Sequence, residues 1–140
     1  MVFLALLTIA PVAYLMVRRR QRPGSIRHLA FAFVGGLVVW LALMSWPLGL
    51  HGDYLPWQVV VAGAVMVAVT AVLAWRCPRE GAPLGFTAAC GFALAWGVWA
   101  GSQDETGQWG AGLIFLLIGA CASLALVGSV SGALARRRSR

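Results

Sequence analysis

The chain has 140 residues, of which 61% are hydrophobic and 11% charged, and a formal net charge of +7. Soluble domains run at about 45–50% apolar and about 25% charged residues, so a water-soluble globule is excluded and the length allows one domain, residues 1–140. All 11 cationic side chains are arginine, and they flank apolar runs instead of lining a helix face between aromatics, which argues for anchoring in a bilayer and against nucleic acid as a partner.

The first apolar run, Val2 to Val17, is interrupted by Pro11 and reaches only about 24 Å at 1.5 Å per residue. Positive charge follows this run instead of preceding it, and no small-residue cleavage site closes it. It therefore reads as a retained helix, not a signal peptide. Arg18, Arg19, Arg20, Arg22 and Arg27 fill the next gap, before the second run, Leu29 to Leu50. The third run, Trp57 to Trp75, is followed by Arg76 and Arg79; the fourth is Leu84 to Gly101. The fifth, Trp109 to Ala135, leads into Arg136, Arg137, Arg138 and Arg140. Pro23, Pro56, Pro78 and Pro83 mark boundaries. A crossing helix needs about 20 apolar residues, so the pattern predicts an all-α polytopic bundle of five transmembrane helices.

The gaps after the second and fourth runs hold no arginine; they carry Asp53 and the pair Asp104–Glu105. Cationic loops stay on the cytoplasmic face. Five crossings then place the N-terminus outside, the C-terminus in the cytoplasm, all arginine clusters on one side and both acidic loops on the other. Lysine and asparagine are absent while Ala, Gly and Arg abound, a bias that points to a bacterial source and hence to the bacterial cytoplasmic (inner) membrane. Trp46, Tyr54, Trp57, Trp99 and Trp109 are expected to form an aromatic belt at the outer boundary, with Trp75 at the inner one. Small residues recur four apart at Ala64/Ala68, Gly91/Ala95, Gly97/Gly101, Gly119/Ser123 and Gly128/Gly132, spacing that lets helix backbones approach closely in lipid.

Chemistry is sparse. No ionisable residue lies deep in an apolar run, which argues against a proton-coupled carrier, a pump or a voltage sensor. No phosphate loop, HExxH or nucleophile elbow is present, so the chain is not expected to be an enzyme. The soft ligands are Cys77, Cys90, Cys121, Met44 and Met66, without C-x-x-C spacing. Cys90 lies 11 residues before Gly101 and Cys121 lies 11 after Gly110. In antiparallel helices both thiols then sit about 16 Å below the outer boundary. Thiolates and thioethers select monovalent copper, which makes Cys90 and Cys121, with Met66 near the same level, the candidate metal ligands; as small apolar side chains they suit a core equally well. Cys77 faces the reducing cytoplasm as a free thiol. His51, Asp53, Asp104 and Glu105 form a second candidate cluster outside, with solvated loop residues as the simpler reading. His28 is expected to snorkel to the inner interface.

The stretch YLMVRRRQRPGSIRHLAFAFVGGLVVWLALMSWPLGLHGDYL, Tyr14 to Leu55, resembles the start of the CtaG family of membrane proteins linked to cytochrome c oxidase assembly and copper delivery. That family has an apolar helix, an Arg-rich link, an aromatic and Gly-containing helix, then a Ser, Pro and Gly turn. Gln108, Ala111, Gly112, Leu113 and Ile114 are similar to a second family motif, in which Gly107 and Phe115–Leu116 stand where the family has an acid and Met-Trp. Family histidines spaced i, i+4 early in the third helix are replaced by Gln58-Val-Val-Val-Ala-Gly. The chain thus resembles a shortened, diverged CtaG-like protein. The resemblance implies a role in terminal-oxidase assembly mainly through contact with other membrane subunits, with copper handling left open. A non-catalytic accessory subunit of a respiratory complex and a small transporter of a neutral substrate are the alternative readings.

Overall fold

A computed structural model describes residues 2–18, 25–46, 55–103 and 108–138. Those residues form five α-helices and no strand: α1 (Val2–Arg18), α2 (Ser25–Leu43), α3 (Pro56–Arg76), α4 (Gly81–Gln103) and α5 (Trp109–Arg138). The last four are long and apolar enough to cross a membrane. With 17 residues, α1 reaches about 26 Å at 1.5 Å per residue, short of a hydrocarbon core of about 30 Å.

Helix boundaries depart from the hydropathy pattern for local reasons. Ser25, Arg27 and His28 form the first turn of α2, with Arg27 exposed and His28 half-buried; polar residues can ride the end of a helix without ending it. At its other end α2 stops at Leu43, seven residues before the expected Leu50. The Met44 N–H still reaches the Trp40 carbonyl at 2.8 Å, and Pro47 then biases Trp46 away from helical backbone. Pro56 opens α3 at the position where a missing N–H costs nothing, and Pro83 sits in the first turn of α4 for the same reason. α5 runs on through Arg136, Arg137 and Arg138.

The bundle is organised around α4. In its apolar span 61% of the residues are buried, against 28% for α2, 28% for α3 and 17% for α5, and α4 packs against all four other helices. Its composition explains this. Gly81, Gly85, Ala88, Ala89, Gly91, Ala93, Ala95 and Gly97 are all buried, so it has no polar face to turn outward and little bulk to hold neighbours away. A side chain at Gly36 of α2 would strike the Ala88 carbonyl, and one at Gly91 would strike that of Phe33. On the other side Gly81 and Gly128 meet backbone to backbone, and Gly85 meets the Leu124 carbonyl.

These contacts also fix direction. Gly81, Gly85, Gly97 and Gly101 approach Gly128, Leu124, Leu113 and Trp109 in turn, so α5 is antiparallel to α4. Ala74 lies by Gly81 and Leu4 by Gly97, so α3 and α1 also oppose α4. Trp40 of α2 meets Trp99 of α4 with ring centroids 6.2 Å apart, and these two helices are parallel. All seven arginines within the described residues consequently lie at one end of the bundle. Trp46, Trp57, Trp99 and Trp109 lie at the opposite end.

Of the small-residue pairs, Gly91/Ala95 and Gly128/Gly132 are buried in helix contacts, while Gly97 meets Leu4 and Gly101 faces the Trp109 ring. Ala64/Ala68 and Gly119/Ser123 face outward instead. We predict that Gly85→Ala, whose Cβ would overlap the Leu124 backbone, destabilises the bundle by about 1–3 kcal/mol. Gly119→Ala meets nothing within 4 Å and is expected to be neutral or to stabilise by up to about 1 kcal/mol. Unfolding in mixed micelles of rising denaturing-detergent content, followed by circular dichroism, ranks the two.

Candidate functional site

The α4–α5 register that pairs Gly85 with Leu124 also brings Cys90 opposite Cys121, and the two thiols hydrogen-bond each other. Sequence spacing places both at one depth; helix rotation, set by the glycine contacts, turns them together. Cys90 is buried and Cys121 half-buried. Val12, Ala93 and Leu117 form the apolar cluster around Cys90, and Cys121 borders it. The expected Met66 packs in a neighbouring cluster with Ala89 and Leu124, which Cys121 also borders. Met44 lies farther off, beside Trp40 and Ala62.

Two facing thiols are the donor type that a small soft cation takes. Among the described residues no three His, Cys, Asp or Glu side chains group together, so the thiols offer two ligands and suit an ion content with two-fold sulfur coordination, such as monovalent copper. The position where the CtaG resemblance would place histidines does not fit a metal. Gln58 there is buried and wholly engaged with backbone. Its Nε2 donates to the Trp46 carbonyl at 3.0 Å and the Leu43 carbonyl at 3.3 Å, and its Oε1 accepts from the Leu55 N–H at 3.0 Å. One side chain thereby satisfies the exposed carbonyls at the end of α2 and fixes the start of α3.

A separate cavity of about 430 Å³ lies along the seam between α3 and α5, floored by α4 and by Met44 just past the end of α2. Its walls are apolar: Met44, Ala62, Met66, Phe92, Trp96 and Leu116. Val59, Gly63, Val67 and Ser123 on its rim are exposed, so the groove opens sideways toward the surroundings of the bundle. Ser123 turns its hydroxyl onto the Gly119 carbonyl of its own helix, leaving the groove without a polar contact from that residue.

At the arginine end the four residues between α3 and α4 make a tight link. The Cys77 N–H donates to the Leu73 carbonyl, and the Glu80 carbonyl accepts from Leu84 at 3.0 Å as α4 begins. Burial pushes the Cys77 thiol up, the Glu80 charge adds to that, and Arg76 opposes it; Cys77 is a half-buried free thiol. Arg136 crosses to this link and donates from Nη1 to the Pro78 carbonyl. The Arg138 guanidinium lies 5.4 Å from the centre of the Trp75 ring.

Sequence reasoning missed Gln58, Glu80 and the Gly81/Gly85 pair. The signals were present: a lone amide just inside an apolar run, and an acid directly before a small-residue helix. His51, Asp53, Asp104 and Glu105 lie outside the described residues, as does Tyr54. Comparisons with family models, with curated proteins and with solved structures find no match.

The thiol geometry yields a direct test in the Cys77→Ser background, which removes the third thiol. Reduced protein in detergent is expected to bind one monovalent copper ion per chain, in competition with a chromogenic chelator. Replacing either Cys90 or Cys121 by Ser is expected to weaken binding by at least about 100-fold, since a soft ion loses half its sulfur ligands. Equal binding by the single variants would rule the pair out.

Proposed function

We propose that this chain is a non-catalytic, multi-pass protein of the bacterial inner membrane that works by lateral contact with other membrane subunits during terminal-oxidase assembly. The observation that carries this reading is the outward surface left by the hub-like packing. α5 keeps most of its apolar span uncovered. Gly63 and Gly119 stand open on α3 and α5 with no neighbour within 4 Å of a would-be side chain. Ala64/Ala68 and Gly119/Ser123 repeat the small-residue spacing that mediates helix contact in lipid, and the chain itself uses neither.

The CtaG-like stretches supply the terminal oxidase as partner, and the thiol pair supplies a means of holding copper in transit. In this reading all five helices cross, with the N-terminus outside. The short α1 is held by Leu4 and Val12 against α4. The shared arginine end faces the cytoplasm, because guanidinium groups resist translocation. The same open surface favours a second reading, a permanent accessory subunit of a respiratory complex.

Purification from native membranes in mild detergent separates the two. Association with incomplete oxidase only is expected for the assembly role; stoichiometric retention in the mature complex indicates the accessory subunit. Gly119→Phe, on the open face, is expected to cut co-migration at least about fivefold by filling the contact. Recovery of the chain without oxidase subunits would overturn both readings. Independently, a reporter fused after Arg140 is expected in the cytoplasm, and its appearance outside would overturn the orientation.

A further inference from the structure

Where α3 and α5 end together, the described residues carry more cationic than anionic side chains. Within the described residues seven arginines, Arg18, Arg27, Arg76, Arg79 and Arg136 to Arg138, face a single carboxylate, Glu80. Arg76, Arg79, Arg137 and Arg138 are exposed and come from the end of α3, the following link and the last turn of α5. Two contacts gather these elements: Arg136 with the Pro78 carbonyl, and Arg138 over Trp75. Gly132 packs on Pro78 and closes the junction further, because a side chain there would lie 2.6 Å from the Pro78 carbonyl oxygen.

Immediately beyond the charges the surface is apolar. Trp75 is 45% exposed, and Val72, Val130 and Leu134 are exposed along the same two helices. A ring that is polar at one edge suits the headgroup level, and a planar guanidinium fork matches phosphate oxygens. Cations above an apolar seam are complementary to a molecule with an anionic head and hydrocarbon tails. A soluble phosphate would use only the first half of that surface.

We propose that the arginine end of the α3–α5 seam binds an anionic phospholipid. Arg76 and Arg138 donate to its phosphodiester oxygens, Arg79 and Arg137 close around the headgroup, and the acyl chains lie along Val72, Val130 and Leu134. This rests on the reading of the chain as membrane-embedded. Arg18 and Arg27 sit at the same end but on α1 and α2, not on the two helices that form the seam, and serve as a built-in control.

The full chain in mild non-ionic detergent is titrated with phosphatidylglycerol or phosphatidylcholine of identical acyl chains, and retained lipid is counted by native mass spectrometry. Phosphatidylglycerol is expected to be retained at least about tenfold better. The double variant Arg76→Gln/Arg138→Gln is expected to lose at least about tenfold of that retention, and Arg18→Gln/Arg27→Gln less than about twofold. Glycerol phosphate is expected not to displace the lipid. Equal retention of the two lipids, equal losses in the two double variants, or displacement by glycerol phosphate would each overturn the proposal. Should the first double variant lose helicity, Arg79→Gln/Arg137→Gln reads the same site with the same expected loss. A chain that stays soluble without detergent would instead overturn the membrane reading itself.

Discussion

Close approach of backbones at the α4 glycines governs the rest of the structure. In lipid, burying apolar side chains between helices gains little, because hydrocarbon already surrounds them. Cohesion comes from van der Waals contact, worth only about 0.1–0.2 kcal/mol per atom pair, so many atoms must touch. A helix of glycine and alanine meets that need by letting whole backbones touch. Gly36 and Gly91 seat α2, and Gly81, Gly85 and Gly128 seat α5. Larger side chains on the surrounding helices are then turned outward or into the gaps between them. The groove between α3 and α5 is one such gap, walled by Ala62 and Met66 of α3, Leu116 of α5 and the Phe92 and Trp96 rings of the hub itself.

How much of this was readable beforehand depends on the cost of the error each feature prevents. Arginine placement was plain in the sequence because a guanidinium in hydrocarbon is expensive, so its position is strictly limited. The helix directions found here, which put Arg18, Arg27, Arg76, Arg79 and Arg136 to Arg138 at one end, agree with that segregation. Helix ends were less legible. Ser25 and Arg27 look like loop residues by hydropathy, yet a first turn tolerates them as readily as a loop does. The identity of the hub was hidden for another reason. Gly and Ala spacing occurs on α3 and α5 as well, and nothing local distinguishes Gly91, which is packed, from Gly119, which is open. Only the sum of contacts around α4 decides.

The candidate site divides along the same line. Equal depth for Cys90 and Cys121 follows from counting residues from the helix ends, a one-dimensional property. Their meeting depends on rotation, which the Gly85–Leu124 and Gly81–Gly128 contacts impose from farther along the two helices. Gln58 shows the reverse case. Its amide is a poor guide to function when read alone, and it proves to join the end of α2 to the start of α3 through three backbone partners. Its engagement removes the amide at the start of α3 from any ligand set and leaves sulfur, Cys90 and Cys121 with Met66 nearby, as the soft chemistry of the bundle.

An odd number of helices has an electrostatic result. Three helices point their carbonyl ends at the arginine face and two point their amide ends there. Each aligned helix behaves like about half a positive charge at its start and half a negative one at its finish. Arg18, Arg76 and Arg136 to Arg138 occupy the final turns of α1, α3 and α5, where partial negative charge gathers, while Glu80 directly precedes α4, where it is positive. Arg27 in the first turn of α2 is the exception. The face can thus hold many cations densely, because the peptide dipoles beneath offset part of their mutual repulsion.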